Sequence, residues 1–390
     1  MSRVRFGRVF RMIVVRVVAG VALLAWVWLA LFHGGFWRTD QRLGPRRTPA
    51  RWPSVGIVVP ARDEADVLPR TLPSLLGQVY PGPARVVLVD DGSSDDTAAL
   101  AERLAHHYGG LPLTVTSPGP VPLGWTGKLH AVAHGVAAAG PVDYFLLTDA
   151  DIAHGPGSLV VLVEAAGDRD IVSQMAVLRT RTGWERLVVP AFVYFFAMLY
   201  PFRRVNRPGA RTAAAAGGCC LVRRKALERA GGIAAIRGAV IDDVALGTAI
   251  KRSGGRIWLG LVDHVRSTRA YPTLHSLWQM VSRSAYTQLR HSPLLLAGTV
   301  LGLALVFLAP PALTVAGAFL RDGLTCAAAA VAWLLMALTF VPILRYYRQP
   351  VTAALLLPAT ATLYLLMTVD SAVQHWRGRG AAWKGRSYPN

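Results

Sequence analysis

Acidic side chains are scarce in this chain: 22 Asp and Glu stand against 42 Lys and Arg, for a net charge of +20. Charge of either sign is thin as well, at 16% of residues against 53% apolar ones. A composition so poor in charge suits a membrane protein better than a soluble enzyme. Cysteine is rarer still. Of the three, Cys219 and Cys220 are neighbours and Cys326 sits in an apolar stretch. That excludes a disulfide framework and any cysteine metal spacing, and it fits a reduced, cytoplasm-facing domain. Zinc-finger spacing, a basic recognition helix and an aromatic-glycine RNA motif are all missing. Because the basic residues flank apolar segments, the excess is assigned to an anionic membrane surface and not to nucleic acid. Apart from short alanine runs there is no repeat or low-complexity tract.

What is present is a series of apolar runs around one polar domain. Residues 1–11 are basic, and residues 12–32 are apolar except for Arg16. The run is long enough to cross a bilayer. It is long for a signal-peptide core and passes through Trp26, Trp28 and Phe32 without a small-residue cleavage site, so a retained anchor is expected. A basic, proline-containing linker fills residues 33–53. Three more apolar segments lie within 293–373, the first broken by Pro310-Pro311 and therefore expected to kink or split. Residues 374–390 form a basic, aromatic tail. One anchor before the domain and three spans after it would place that tail outside, against the tendency of Lys and Arg to stay inside. A re-entrant or split segment is expected, with the Pro310-Pro311 break and Leu187–Phe202 as candidates. The second candidate, within 187–204, is short, aromatic and bounded by arginines, and reads as a helix lying in or dipping into the interface. Residues 273–291 are amphipathic: Leu274, Leu277, Trp278, Val281, Ala285 and Leu289 make one face, and Gln279, Arg283, Thr287 and Arg290 the other. An interface helix looks like this, its arginines turned toward the domain or snorkelling to lipid phosphate.

Residues 54–272 read as an α/β domain. Val55–Val59 and Arg85–Val89 are apolar strands, each followed by an acidic turn and a helix, at about 67–78 and 97–108. Tyr144–Leu147 is a third strand, and another is expected at about 256–262. Strand, acidic turn, helix, strand is the pattern of a parallel sheet, whose ligands bind beyond the carboxyl ends of its strands. Glu64, Asp91, Asp149 and Asp151 all fall just past strand ends. Four acids at equivalent positions repel one another unless a cation or hydrogen-bond donors are present. Asp149 and Asp151 are expected to reach one point and offer oxygens to a hard divalent cation. Lys128, before a helical run from Leu129 to Ala138, opposes the helix dipole unless it meets an anion such as a diphosphate. Gly217 and Gly218 permit close backbone approach to a ligand, or a tight turn. Asp242 and Asp243 open another helix; one is expected to cap it, which leaves the other free.

The order Pro60-Ala61-Arg62-Asp63-Glu64, Asp90-Asp91-Gly92-Ser93, Thr148-Asp149-Ala150-Asp151 and Asp242-Asp243-x-x-Leu246 resembles the family 2 glycosyltransferases. The resemblance spans nearly the whole chain and implies the GT-A fold, a nucleotide-diphosphate-sugar-binding α/β domain with a mixed, mainly parallel sheet. Gly124-Trp125-Thr126-Gly127-Lys128, Tyr286-Thr287-Gln288-Leu289-Arg290 and Trp383-Lys384-Gly385-Arg386 are most similar to the bacterial hopanoid-associated glycosyltransferase, with ceramide glucosyltransferases as more distant relatives. Carried over by position, Glu64 and Asp91 would contact the nucleotide base and ribose. Asp149 would touch the nucleotide, Asp151 would hold Mg2+ or Mn2+ with Asp149 beside it, and Asp243 would be the general base, leaving Asp242 as the cap. Two departures matter. The family's usual Glu-Asp is Asp-Asp here, and the Gln-x-x-Arg-Trp motif of processive synthases is absent in strict form, since Gln279 and Arg283 are one residue too far apart. Arg283 and Arg290 stand as candidate diphosphate contacts.

These residues imply transfer from a nucleotide-diphosphate sugar to a lipid acceptor by direct displacement, with inversion at the anomeric carbon. The expected site of action is the cytoplasmic face of a multi-pass protein of the cell inner membrane. A processive polysaccharide synthase, a polyprenyl-phosphate glycosyltransferase, a nucleotidyltransferase and an inactive membrane scaffold are the rival readings.

Overall fold

The computed structural model describes residues 2–44, 46–378, 382–383 and 386–387. Lys384 and Gly385 of the tail motif lie outside the described residues. The chain divides into two compact units, one of Asp40–Arg179, Phe202–Tyr271 and Arg379–Asn390, the other of Met1–Thr39, Thr180–Pro201 and Pro272–Gly378.

The first unit is organised on one sheet of β1 (Val55–Ala61), β2 (Ala84–Asp90), β3 (Leu113–Thr116), β4 (Tyr144–Leu147), β5 (Ile152–His154), β6 (Ile171–Val177), β7 (Cys220–Arg223) and β8 (Ile257–Ser267). Their order across it is β3-β2-β1-β4-β7-β6-β8-β5. Pairs β1–β2, β1–β4, β2–β3 and β6–β8 are parallel, while β4–β7, β6–β7 and β5–β8 are antiparallel. The sheet is thus mixed and mainly parallel, as expected. All of β1 is buried, because Val-Gly-Ile-Val-Val-Pro-Ala offers an apolar surface to both faces of a covered sheet. Helix Gly127–Ala138 lies close against it: a Cβ on Gly135 would stand 2.5 Å from Val58 Cγ1 and 2.8 Å from Val89 Cγ2. Only glycine permits that approach.

These pairings give one sheet edge special weight. Strands β1, β2, β4, β6 and β8 all end there, and antiparallel β7 begins there. The register Leu147↔Cys220, continued past the strand ends, sets Gly218-Cys219 opposite Thr148-Asp149. Strand β8 runs five residues beyond the expected end at Val262, through Asp263-His264-Val265-Arg266-Ser267. The polar character of that outer half hides it from an apolar-run reading. Its partner is the short β5, with Ile152 opposite Ser267.

The second unit is helical. By length and composition, five helices among the described residues can cross a membrane: Phe10–Phe32, Gly183–Val205, Pro293–Phe319, Gly323–Tyr346 and Val351–Trp376. The Pro310-Pro311 break takes the form of a π-turn at Ala304–Leu308, between helices Pro293–Leu303 and Ala309–Phe319. Pro310 has no N–H for the carbonyl four residues back, that of Val306. The indole of fully buried Trp26 donates to that oxygen at 2.6 Å. A buried carbonyl left unserved would cost about 1–3 kcal/mol. Arg16, the one charge in the first apolar run, is held by Asp322 through bonds of 2.9 and 3.1 Å.

The helix expected inside the 54–272 segment groups by contact with the apolar helices instead. Its run, Gly183–Val205, is long enough to span. Yet β6 precedes it, β7 follows it, and the two strands pair in one sheet. The amphipathic segment forms helix Leu274–Gln288, with a capping box from Thr273 and Ser276, and buries Leu277, Val281 and Tyr286.

Candidate active site

Two clusters of charge stand at the sheet edge, one around Lys128 and one around Arg269. The first begins with Thr126, whose hydroxyl accepts the Leu129 N–H and so caps helix Gly127–Ala138. Lys128 falls in the first turn. Its Nζ lies 2.8 Å from Asp149 Oδ1 and 2.9 Å from Asp242 Oδ2. Burial opposes the charge on this ammonium, but Asp149 and Asp242 outweigh it and hold Lys128 above its ordinary range. The anions that offset its poor place at a helix start are therefore two carboxylates of the chain itself.

Helix Asp242–Arg252 begins at the same place. The expected cap at Asp242 is not formed: Ile241 occupies the cap position without a side-chain bond, and Asp242 is already inside the helix. Its carboxylate turns to Lys128, a stronger partner than a backbone N–H. Asp243 meets no cation within bonding distance in this cluster. Its Oδ1 accepts the Val244 N–H at 2.8 Å and its Oδ2 accepts the Gly217 N–H at 3.1 Å. Burial first, and the Asp242 carboxylate second, push its carboxyl up to about 7, against the pull of Lys128 and the two N–H groups. Lys128, Asp149, Gly217, Cys220, Asp242 and Asp243 line one pocket, whose apolar wall includes Pro60, Leu129, Val132, Leu147, Ile233, Ile236 and Leu246.

Gly217 faces this pocket: a Cβ there would lie 3.6 Å from both Asp243 Cβ and Lys128 Nζ. Gly218 does other work. A Cβ on it would meet Ile152 Cδ1 at 3.0 Å, and its carbonyl accepts the Thr148 hydroxyl at 2.8 Å. Thr148 Oγ1 is also 2.9 Å from Nε2 of buried His154. Burial depresses that imidazole to about 3, so His154 is neutral at physiological pH.

The second cluster forms around Arg269, two residues past the end of β8. Its Nη2 donates to both carboxylate oxygens of Glu64 at 2.7 Å, and its Nε lies 3.5 Å from Asp151 Oδ2. Asp151 also accepts the Ser267 hydroxyl at 2.6 Å. Burial works against the guanidinium charge, but Asp151 and then Glu64 hold it above its ordinary range. The expected meeting of Asp149 and Asp151 at one point is corrected here: each turns to its own cation, because two like charges separate when two positive partners are available.

Asp91 is buried at the end of β2, 1% exposed, and its N–H bonds to the Ala61 carbonyl at 2.9 Å. Arg62 donates to the Asp91 carbonyl oxygen. The Glu64 N–H bonds to Thr97 Oγ1 at 2.9 Å, which ties the turn after β1 to the helix after β2. Arg283 and Arg290 belong to the helical unit, where both are exposed. Arg269, which the sequence did not single out, joins Glu64 and Asp151 in this cluster. The strand-end rule that picked out the four acids selects it too, once β8 is given its full length.

Among the described residues, no three His, Cys, Asp or Glu side chains converge as a metal cage. A divalent cation carrying a diphosphate takes most of its oxygens from phosphate and water and asks one or two carboxylates of the protein. One carboxylate meets that smaller demand, and Asp151, beside Arg269, is the residue the motif resemblance assigns to it.

A family model for glycosyl transferase family 21 matches residues 13–388. The chain belongs to glycosyl transferase family 21. The motif order had pointed to family 2; the enzyme class, glycosyl transfer, is common to both. The family 21 chain is 30% identical over 137 residues to the probable glycosyltransferase YdaM of Bacillus subtilis strain 168, a match covering 33% of this chain and 32% of that relative. It also resembles the mannosyltransferase PcManGT of Pyrobaculum calidifontis, solved with GDP-Man and Mn2+, at 20% identity and a TM-score of 0.56, over 93% of this chain and 99% of that one. That likeness is one of fold, and with the sheet order it makes the first unit a GT-A domain.

Proposed function

We propose that this family 21 member is a membrane-bound inverting glycosyltransferase that moves a sugar from a nucleoside-diphosphate sugar to the hydroxyl of a lipid. The observation that carries the reading is Asp243: a carboxyl pushed up to about 7, in a pocket that also holds Lys128 and Asp149. A general base works best when its pKa lies near the operating pH. Asp243 takes the acceptor proton as the hydroxyl oxygen attacks the anomeric carbon, and the nucleoside diphosphate leaves from the opposite face. Lys128 engages Asp149 and Asp242, and burial keeps the Cys220 thiol protonated, so Asp243 acts as the one base in a single displacement with inversion.

Lys128 supplies positive charge to the diphosphate side of the pocket. Glu64 and Asp91 hold the nucleoside, and Gly217 leaves room beside the base. Asp151 would hold a divalent cation, which when bound offsets the charge growing on the departing diphosphate. The donor class accords with the GDP-Man held by the Pyrobaculum neighbour. A lipid acceptor, hopanoid-related by the motif resemblance, is supported by the apolar helices. So is a place in the inner membrane, with the GT-A domain toward the cytoplasm and helix Gly183–Leu199 dipping into one leaflet.

The test is purified protein in nanodiscs, a bacterial lipid extract and a panel of labelled nucleotide sugars. Label should enter organic solvent in short products and should fail to do so in excess chelator. Label found only in water-soluble polymer would move the assignment to a polysaccharide synthase. Full transfer in chelator would remove the metal from the reading.

A further inference from the structure

We propose that Arg269 is a positioning residue for the nucleotide half of the donor, fixing Glu64 and Asp151 in the arrangement the donor meets. This rests on the donor-site reading above and adds a residue to it.

The geometry is specific. One nitrogen, Nη2, reaches both Glu64 oxygens at 2.7 Å, while Nε faces Asp151 at 3.5 Å. The backbone around Arg269 holds the same aspartate. Thr268 N–H and Oγ1 donate to the Asp151 carbonyl at 2.8 and 3.0 Å, and Ser267 Oγ donates to its carboxylate at 2.6 Å. The β5–β8 register, Ile152 opposite Ser267, brings the two segments together.

Glu64 is only 5% exposed. Two carboxylates near one point, one of them buried, repel each other, and without a cation one of them protonates or turns away. An arginine suits the task because its fork serves two acids at once, where an ammonium acts as a point charge. Arg269 thus acts through Glu64 and Asp151 and need not touch the donor.

The experiment is a double-mutant cycle on the full-length protein in nanodiscs at fixed Mn2+. The probe is fluorescent UDP or GDP, whichever the wild type binds more tightly. Arg269→Gln is expected to weaken binding about tenfold, because Glu64 and Asp151 lose the cation that holds them in place. In the Glu64→Ala background the same change should weaken it less, by about threefold or under, because one of the two acids through which it acts is gone. Arg269→Lys should recover about half of the loss on a logarithmic scale. Thermal melting of each variant separates this from unfolding, since a general structural defect lowers affinity equally in both backgrounds. Equal losses in the two backgrounds, or no loss in Arg269→Gln, overturn the inference and leave the donor reading intact. A folded wild type that binds neither nucleotide overturns the donor reading, and the inference with it.

Discussion

The Lys128 cluster and the Arg269 cluster share one sheet edge and the single turn Thr148–Asp151, yet they treat their acids differently. Lys128 is a point charge spent on Asp149 and Asp242. The third acid of that cluster, Asp243, accepts two backbone N–H groups and has its carboxyl pushed up to about 7. In the Arg269 cluster both acids, Glu64 and Asp151, face the guanidinium. The difference sorts the carboxylates by task. Four of the carboxylates face a side-chain cation, and in the proposed mechanism these bind while Asp243 takes the proton. The two cations, Lys128 and Arg269, lie 141 positions apart in the chain, and residue type alone does not reveal that division.

The comparison breaks most clearly at Asp243. Asp243→Asn keeps size and hydrogen-bonding capacity but loses the basic oxygen. Transfer should fall about a hundredfold or more, while nucleotide affinity, measured beside it, stays within about twofold. A variant that turns over normally would place the base elsewhere.

The next test takes the cation from the first cluster. Lys128→Met removes the cation shared by Asp149 and Asp242, a charge that also lowers the Asp243 pKa. Wild-type transfer needs the Asp243 carboxylate, so its rate should fall as pH drops through about 7. In Lys128→Met that limb should move to higher pH, and the rate at neutral pH should drop about tenfold. A pH–rate profile of both proteins checks the direction.

The smallest effect belongs to Asp242, whose charge raises the Asp243 pKa. Asp242→Asn should move the same limb to lower pH, with the rate at pH 8 within about threefold of wild type. Opposite shifts for Lys128→Met and Asp242→Asn sharpen the assignment of Asp243. A limb that stays in place in both would mean that it reports some other group.

Much of this was legible in the chain. Tyr144–Leu147 and Arg85–Val89 are short apolar runs ended by acids, and local burial alone makes them strands whose ends carry the site. Arg269 was not legible, because the outer half of β8 alternates polar residues along an edge and reads as a loop. Nor was the partner of Asp242. A first-turn aspartate caps a helix unless a better donor arrives from elsewhere in the fold, and here Lys128 arrives. The grouping of Gly183–Leu199 with the apolar helices was hidden for the same reason, since its local pattern suits a core helix and an interfacial one alike.

By itself, then, the sequence determined the apolar spans, the strand ends and the set of acids beyond them, because side-chain periodicity and hydrophobic transfer act on neighbouring residues. The tertiary structure decided which cation each acid meets and which acid is left without one. That choice depends on a sheet order that joins Lys128, Asp149, Gly217 and Asp242 from separate parts of the chain. It also depends on burial, which only the packed fold creates and which sets the protonation of Asp243.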